Sequence, residues 1–293
     1  MRSKKLLVAA LSLLMPASAM AAPPPASFEL LGVVRDFQML GEPNGHPDFE
    51  QDEDWGVDRI YCGRLIEPVL GTDAKPVYDG PGRHVEDHFL DSAGRPISYT
   101  MYDPGLGDTP GTWGSVYDAG IDSETSFNEW WNDVPGINMS APLSVTMVRQ
   151  GDGTYVFDSD LDPFYVARGG FFPIDNLLFG NTAGSNPDNH NYHFTFELHA
   201  RFVYDASAGQ IFEFFGDDDV WVFMNGQLVV DVGDRHWPQG QFVDLDRLGL
   251  ADGETYALDF FFAERRKFGS NCRITTNMPL ISGPNVNTSG CFD

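Results

Sequence analysis

Apolar and polar residues alternate through much of the second half of the chain. Between residues 191 and 204, every second position is apolar: Phe194, Phe196, Leu198, Ala200 and Phe202. A period of two is typical of a β-strand with one buried face and does not fit a helix, whose apolar positions recur every three or four residues. We therefore predict a strand with one face on the core.

The same pattern predicts a series of further strands separated by Gly, Asn and Asp turns. These are Ile211 to Phe215, Val220 to Met224, Gln227 to Val232, Tyr256 to Ala263 and Cys272 to Met278. Asn225-Gly226, between two of them, is the strongest two-residue hairpin signal. A second hairpin is expected across Gly151-Asp152-Gly153, joining 143–149 to 154–157. The chain is thus predicted to be all-β.

One helix start stands out in the loop-rich first half. Ser126 and Glu129 have the spacing of a capping box, in which the hydroxyl and the carboxylate satisfy backbone amides at the helix start. Trp130 and Trp131 follow directly. We expect a short helix here that packs aromatic rings against a sheet.

The N-terminus has the features of an export signal. Arg2, Lys4 and Lys5 precede an apolar stretch, and small residues follow up to Ala21. This order predicts a secretory signal peptide over 1–21, and hence a secreted protein, or a periplasmic one if it is retained. We expect a Pro-rich lead over 22–30 with the fold beginning near Ser27, one domain over 31–281, a tail over 282–293, and no membrane span.

The charge balance narrows the choice of partners. The chain carries 43 acidic and 18 basic residues, a formal charge of −25. Nucleic acids and anionic membranes are poor partners for such a protein, since like charges repel. Divalent cations, neutral sugars and simple solubility all remain compatible with it.

Three cysteines bear on stability in an oxidising compartment. Cys272 opens a predicted strand, where a buried free thiol packs as a small hydrophobe. Cys62 and Cys291 are therefore the expected disulfide, joining the C-terminal tail to the N-terminal part, although spacing alone leaves the pairing open.

Three segments are candidates for metal chemistry. Asp217, Asp218 and Asp219 follow one another where a strand begins, and three adjacent carboxylates repel unless water or a cation neutralises them. Calcium takes six to eight oxygen ligands and suits such a cluster, whereas a solvated acidic turn is the plainer alternative. The loop before Asn271 offers an amide and flexible carbonyls. Asp158, Asp160 and Asp162 form a weaker calcium pattern, because the central Gly and distant Glu of a calcium loop are missing.

Several longer motifs follow one another along nearly the whole mature chain, from about residue 31 to 281. They are Gly32-Val33-Val34-Arg35-Asp36-Phe37, His46-Pro47-Asp48-Phe49-Glu50, Lys75-Pro76-Val77-Tyr78, the run from Ser126 to Asn138, Phe171-Phe172-Pro173-Ile174-Asp175, the run from Gly216 to Gly226, Gly233-Asp234-Arg235-His236, and Ala263-Glu264-Arg265 through Ser270-Asn271. In these motifs and their order the chain resembles the fibro-slime domain of the protective-antigen-type (PA/GLEYA-like) β-sandwich lectins.

The resemblance implies a fold and a binding site. It implies an antiparallel β-sandwich with long loops and one or two short helices. It also implies one Ca²⁺ held by Asp217 and Asp218 through a cis peptide, by the side chain of Asn271, and by the carbonyls of Lys267 and Gly269. In such lectins the ion accepts two vicinal sugar hydroxyls, so Asp217, Asp218 and Asn271 become expected sugar-binding residues. His236 follows a Gly-containing turn and is the fourth expected sugar-binding residue, with a structural turn histidine as the alternative.

Two positions depart from the family pattern beside this site. Asp234 stands where a Gly is usual, and Arg266 where a His is usual, which bears on ligand preference. The favoured function is a non-enzymatic, calcium-dependent lectin or adhesin for extracellular or cell-surface glycans. A structural matrix or slime protein is the alternative. A glycoside hydrolase is less favoured, because its two carboxylates must flank a cleft rather than be adjacent in sequence.

Overall fold

The computed structural model describes residues 23–50, 60–182 and 189–283. The α-helices in this part of the chain are short: α1 (Glu124–Glu129) and α2 (Pro163–Val166). Three 3-10 helices lie at Tyr99–Met101, Pro104–Leu106 and Leu245–Leu248. The strands are β1 (Ser27–Phe37), β2 (Tyr61–Gly63), β3 (Gly82–Asp87), β4 (Phe89–Leu90), β5 (Pro96–Ile97), β6 (Thr112–Tyr117), β7 (Asn138–Arg149), β8 (Tyr155–Asp158), β9 (Phe194–Val203), β10 (Ile211–Asp217), β11 (Asp219–Met224), β12 (Gln227–Val232), β13 (Gln239–Asp244), β14 (Thr255–Glu264), β15 (Asn271–Thr276) and β16 (Ile281–Ser282).

The main sheet is antiparallel and folds over on itself. Its strand order is β12-β11-β14-β9-β1-β7-β8-β15-β10-β13, with β16 added beside β9. Rings of strands that are not sheet neighbours pack together: Phe214 of β10 lies 5.9 Å from Phe260 of β14. The two halves of the sheet therefore face each other across an apolar core, and the predicted all-β sandwich is confirmed.

β9 differs from its prediction. Its apolar residues do face the inter-layer core, but the opposite face is covered as well, and Thr195 and Glu197 are 0 % and 1 % exposed. A second apolar cluster lies on this side of the sheet and includes Trp130, Trp131 and Trp221. Segments from the first half of the chain form this cover, so the prediction of a single buried face fails at the start of β9 and holds at its end, where Arg201 and Val203 are exposed.

Ion pairs and hydrogen bonds stabilise the charged groups that are buried on this second face of β9. Glu197 accepts a hydrogen bond from Arg35 at 3.0 Å and another from Lys75, and His199 bonds Asp259 at 2.7 Å. Burial acts to raise the pKa of Glu197, but His199, Arg35 and Lys75 outweigh it and bring that pKa to about 2. The carboxylate is ionised and paired, which is how buried charges persist.

The turn predictions have mixed outcomes. Asn225 and Gly226 have φ angles of 52° and 74° and join β11 to β12, as the Asn-Gly signal predicts. β7 and β8 also pair as expected. The proposed capping box was wrong by one turn: Ser123 is the N-cap, and Ser126 bonds back to it from the third helical position. Trp130 and Trp131 follow and are buried, as expected.

Some expectations fall outside the described residues. The signal peptide over 1–21 and Cys291 lie there, so export and the Cys62–Cys291 disulfide stay predictions. Cys62 is buried in β2, and Cys272 is a buried free thiol in β15. Within 23–50, 60–182 and 189–283, no helix is long and apolar enough to cross a membrane.

Candidate functional site

The candidate site lies where the chain passes from one layer of the sandwich to the other. β10 ends at Asp217 and pairs with β13 and β15, whereas β11 begins at Asp219 and pairs with β12 and β14. The Asp217-Asp218 peptide bond between them is cis, as the resemblance implies. The junction between the two layers of the sandwich is thus formed by Gly216-Asp217-Asp218-Asp219.

Asp217 is bonded directly to Asn271, its neighbour across β10 and β15. The backbone amide of Asn271 donates to Oδ1 at 2.6 Å, and its side-chain Nδ2 lies 3.1 Å from both carboxylate oxygens. Burial raises the pKa of Asp217 to about 7 and the charge of Asp160 adds to this, although the Asn271 bonds oppose it. The structure therefore brings together two residues predicted to form the site.

Asp218 is 6 % exposed and accepts a hydrogen bond from the amide of Arg265 at 3.2 Å. Burial, followed by the charges of Asp217 and Asp219, raises its pKa to about 8. Burial and like charge both disfavour the ionised form of a carboxyl group. A cation beside the pair would remove both penalties.

Asp219 has a different role from the two residues before it. Its Oδ2 receives a 2.6 Å bond from Nε of Arg265, and its Oδ1 accepts from the amide of Asp234 at 2.6 Å. The Arg265 guanidinium is fully buried and stands 5.0 Å from the ring of Trp130. Asp219 is therefore neutralised by an arginine and anchors the β12–β13 loop, so two of the three adjacent aspartates remain for a ligand.

The β14–β15 loop contributes the other predicted metal ligands. Lys267 and Gly269 lie in it, with Gly269 at φ 85°. Neither carbonyl oxygen accepts a backbone hydrogen bond from a described residue. The Lys267 side chain points to Glu50, with Nζ 3.8 Å from Oε1. These carbonyls are thus without backbone partners in the loop that precedes Asn271.

His236 lies on the neighbouring β12–β13 loop. Its Nδ1 donates to the carbonyl of Trp237 at 2.8 Å, and its ring meets Tyr61 edge-on at 6.4 Å. The loop that carries His236 is held to the site by Asp219, whose Oδ1 accepts a hydrogen bond from the amide of Asp234.

Exposed aromatic rings border the junction on two sides. Trp237 precedes β13 and is 75 % exposed, and Phe268 precedes β15 and is 65 % exposed. β13 and β15 are the two strands beside β10, and Gln239 pairs with Gly216, next to Asp217. Sequence reasoning missed Trp237, because only strand pairing brings it beside the aspartates.

Glu264 is a second residue that sequence reasoning missed. It is 1 % exposed at the end of β14, and the charges of Asp218 and Asp217 act on it. Burial is the largest cause and these charges the next, and together they raise the pKa of Glu264 well above its usual value. Alternation along β14 gave no hint of it, because that pattern does not say which residue lies opposite Asp218.

A metal cage made only of charged side chains is not found. Among the described residues, no group of three or more His, Cys, Asp or Glu side chains is arranged to hold a metal ion. A cation at the junction would therefore rely on oxygen ligands of mixed type, which is the donor set that calcium accepts.

A match to a known protein family covers the segment of the chain that contains the candidate site. Residues 149–286 match the PA14 domain. The PA14 match includes the Asp217-Asp218 junction, the two bordering loops and Glu264, and it accords with the β-sandwich described above.

Similar curated proteins include several from Dictyostelium discoideum. Protein psiD is 33 % identical over 233 residues, which is 77 % of this chain and 38 % of psiD. Protein psiR is 32 % identical over 241 residues, 80 % of this chain and 20 % of psiR. The chain spans well under half the length of these relatives.

Solved structures give weak superpositions. The PA14 domain of MpAFP antifreeze protein aligns at 10 % identity and a TM-score of 0.25, covering 93 % of this chain and 98 % of that one. A Kluyveromyces marxianus β-glucosidase in complex with glucose aligns at 13 % identity and a TM-score of 0.22, covering 34 % and 11 %.

Proposed function

We propose that this chain is a secreted, calcium-dependent carbohydrate-binding protein of the fibro-slime type, acting on extracellular or cell-surface glycans. The observation that carries the proposal is the junction at which Asp217, Asp218 and Asn271 meet. Two buried carboxylates with raised pKa values adjoin an amide there, beneath loops that bear exposed aromatic rings.

The donor set fits calcium. Asp217 and Asp218 supply carboxylate oxygens, and the carbonyls of Lys267 and Gly269 accept no backbone hydrogen bond from the described residues. Asn271 presents Nδ2 to Asp217, and a half-turn of its amide would present the oxygen instead. Hard oxygen ligands of these three kinds are those that calcium prefers over softer metals.

Sugar binding follows from the surroundings of such an ion. A bound calcium with open positions accepts vicinal hydroxyls, and an exposed ring can cover the apolar face of a sugar. Trp237 is placed for this second role by its exposure and by the pairing of β13 with β10. PA14 domains commonly bind carbohydrates, which supports this assignment.

The chemistry of the pair does not suit a glycosidase. A hydrolase needs two carboxyl groups about 5 to 10 Å apart on either side of a bond. Asp217 and Asp218 are adjacent in sequence at the end of β10, and both are buried. We therefore assign them to ion binding.

Calcium binding is tested by thermal unfolding of the mature protein in EDTA and in millimolar calcium. Calcium should raise the melting temperature in proportion to RT ln(1 + [L]/Kd). Asp218→Asn should abolish that rise, whereas Glu213→Gln, at an exposed position on β10, should keep it. A wild-type melting temperature that calcium does not move would reject the proposal.

Sugar binding is tested by a glycan array run with calcium and again with chelator. We expect neutral glycans to bind only with calcium and with about millimolar affinity for single sugars, since a small ligand leaves much of its surface in water. Absence of glycan binding at a filled calcium site would leave the structural matrix role instead.

A further inference from the structure

The outer face of the sheet layer beside the candidate site carries an exposed aromatic ring. Phe215 of β10 is 49 % exposed, and β10 lies between β15 and β13 in the sheet. Side chains alternate along a strand, so Phe212 and Phe214 point into the core, whereas Phe215 and Asp217 share the outer face. A single exposed ring is common on protein surfaces and indicates nothing alone. The neighbours of Phe215 give it a more specific meaning.

The strand on one side of Phe215 leaves room for its ring. Gly240 of β13 pairs with Phe215. A side-chain carbon on Gly240 would lie 3.1 Å from Cδ2 of Phe215 and 2.5 Å from the carbonyl oxygen of Phe214. The ring therefore lies close over the backbone of β13, in space that a side chain at position 240 would need, and its remaining surface faces solvent.

A charged pair lies on the other side of Phe215. Arg273 of β15 pairs with Phe215 across one edge of its strand and with Asp158 of β8 across the other. Residues directly opposite in antiparallel strands lie on the same face, with Cβ atoms about 5 Å apart. Nε of Arg273 is 3.7 Å from Oδ2 of Asp158, and the arginine side chain is 51 % exposed. A guanidinium carries five N–H donors, so a half-exposed one has donors to offer to hydroxyl groups.

This surface continues into the proposed ion site along two adjacent strands. Asp217 lies two residues beyond Phe215 on β10, and Asn271 lies two residues before Arg273 on β15, a distance of about 7 Å along each strand. The pairs Phe215 with Arg273 and Asp217 with Asn271 are therefore neighbouring rows of one sheet face. A sugar held at the ion would have the next unit of its glycan above Phe215.

We propose that Phe215, Arg273 and Asp158 form a second subsite, which binds the next sugar unit of a neutral oligosaccharide. This assignment rests on the proposed function, because the first unit is the one held at the ion. The apolar C–H face of the second sugar stacks on Phe215, and Arg273 and Asp158 hydrogen-bond its hydroxyls. The charges of Arg273 and Asp158 cancel in a chain of formal charge −25, which favours a neutral glycan over an anionic one. The preferred ligand is thus an extended glycan rather than a single sugar.

The test is calorimetry of the mature protein at saturating calcium with glucose, galactose and mannose, each also supplied as its disaccharides in several linkages. The wild type should bind the best disaccharide of its preferred sugar about tenfold more tightly than the monosaccharide, the scale expected of one added aromatic contact. Phe215→Ala should remove most of this gain while its calcium isotherm matches the wild type. Phe215→Tyr keeps the ring and should keep the gain.

Two further variants separate ring contact from a disturbed fold. Val203→Ala is the matched control, since Val203 on β9 is likewise 49 % exposed, and it should keep the whole gain. Arg273→Gln leaves the ring in place and should lower the disaccharide affinity about fivefold, the loss expected of one hydrogen bond.

The outcomes distinguish this subsite from the proposed function. A wild type that binds monosaccharide and disaccharides equally well would overturn the subsite alone. The same conclusion would follow if Phe215→Ala and Arg273→Gln both kept the full gain. A wild type that binds no neutral sugar in calcium would overturn the subsite and the proposed function together.

Discussion

Asn271 donates both its backbone and its side-chain amide to the carboxylate of Asp217, across the pair formed by β15 and β10. Asn271→Ala removes the side-chain donor from a carboxylate that is 5 % exposed. We expect a loss of about 1–3 kcal/mol in the free energy of unfolding without calcium. Calcium affinity should fall as well, and urea unfolding with and without the ion measures both effects.

The stability of the cation-free protein should depend on pH through the same site. Asp217 and Asp218 have pKa values of about 7 and about 8 in the fold, against 3.8 when unfolded. Between these values the folded state binds more protons, so stability is full below about pH 4 and is lost as pH rises through 7 and 8.

Measurements with and without calcium distinguish the pH effect of Asp217 and Asp218 from that of other titrating groups. His199 has its pKa raised to about 9, because Asp259 and Glu197 outweigh its burial, and it too loses stabilisation as pH rises from 6.5 through 9. That contribution is the same in calcium and in EDTA. Urea unfolding at pH 5, 6, 7 and 8 should therefore show a gain from calcium that grows with pH, and a gain independent of pH would contradict the assignment.

The parts predicted from sequence are those set by local pattern. Alternation along β9 and the Asn225-Gly226 turn depend on adjacent residues, so strands and hairpin were found. Burial of the second face of β9 was not predicted, because the ion pairs of Glu197 with Arg35 and Lys75 join residues 162 and 122 positions apart.

The residues of the candidate site also include some that were predicted from the sequence and some that were missed. Asp217, Asp218 and Asn271 were named from family resemblance. Glu264 and Trp237 were missed, since their proximity to the aspartates follows from the register of β14 with β11 and of β13 with β10. The ion pair between Asp219 and Arg265 was not predicted, because the two residues are 46 positions apart.

Glu197 should be important for stability on the outer face of β9. Glu197→Gln would leave the buried cations Arg35 and Lys75 facing a neutral amide, and breaking a buried ion pair on one side costs about 3–5 kcal/mol. Glu213→Gln on β10 is the exposed control and should cost little. Chemical denaturation measures both, and equal stability of the two variants would show that the network contributes no more than a surface charge.

Cys62 and Cys291 should form the disulfide, with Cys272 reduced. Cys272 is buried in β15, its pKa is raised well above the usual value by burial, and it is a free thiol. A bridge closing so long a loop could add about 4–5 kcal/mol in the loop-entropy model. Peptide mapping without reductant should recover a peptide joining Cys62 to Cys291, and a crosslink through Cys272 would show that the pairing is wrong.

Trp237 should govern sugar affinity without affecting the ion. Its ring is 75 % exposed on the loop before β13, so truncation removes contact area for a ligand but little packing within the fold. Loss of a tryptophan contact in a binding site costs more than about 1 kcal/mol in many interfaces, and about 1.4 kcal/mol is a tenfold change in affinity.

We therefore expect Trp237→Ala to weaken binding of the best array glycan about tenfold while its calcium isotherm matches the wild type. Trp237→Phe keeps an aromatic face and should retain most of the affinity, which distinguishes ring contact from loop disturbance. Calorimetry with that glycan at saturating calcium measures the effect. If the alanine variant binds the sugar as tightly as the wild type, the ring lies outside the sugar site and His236 or Phe268 becomes the residue to test.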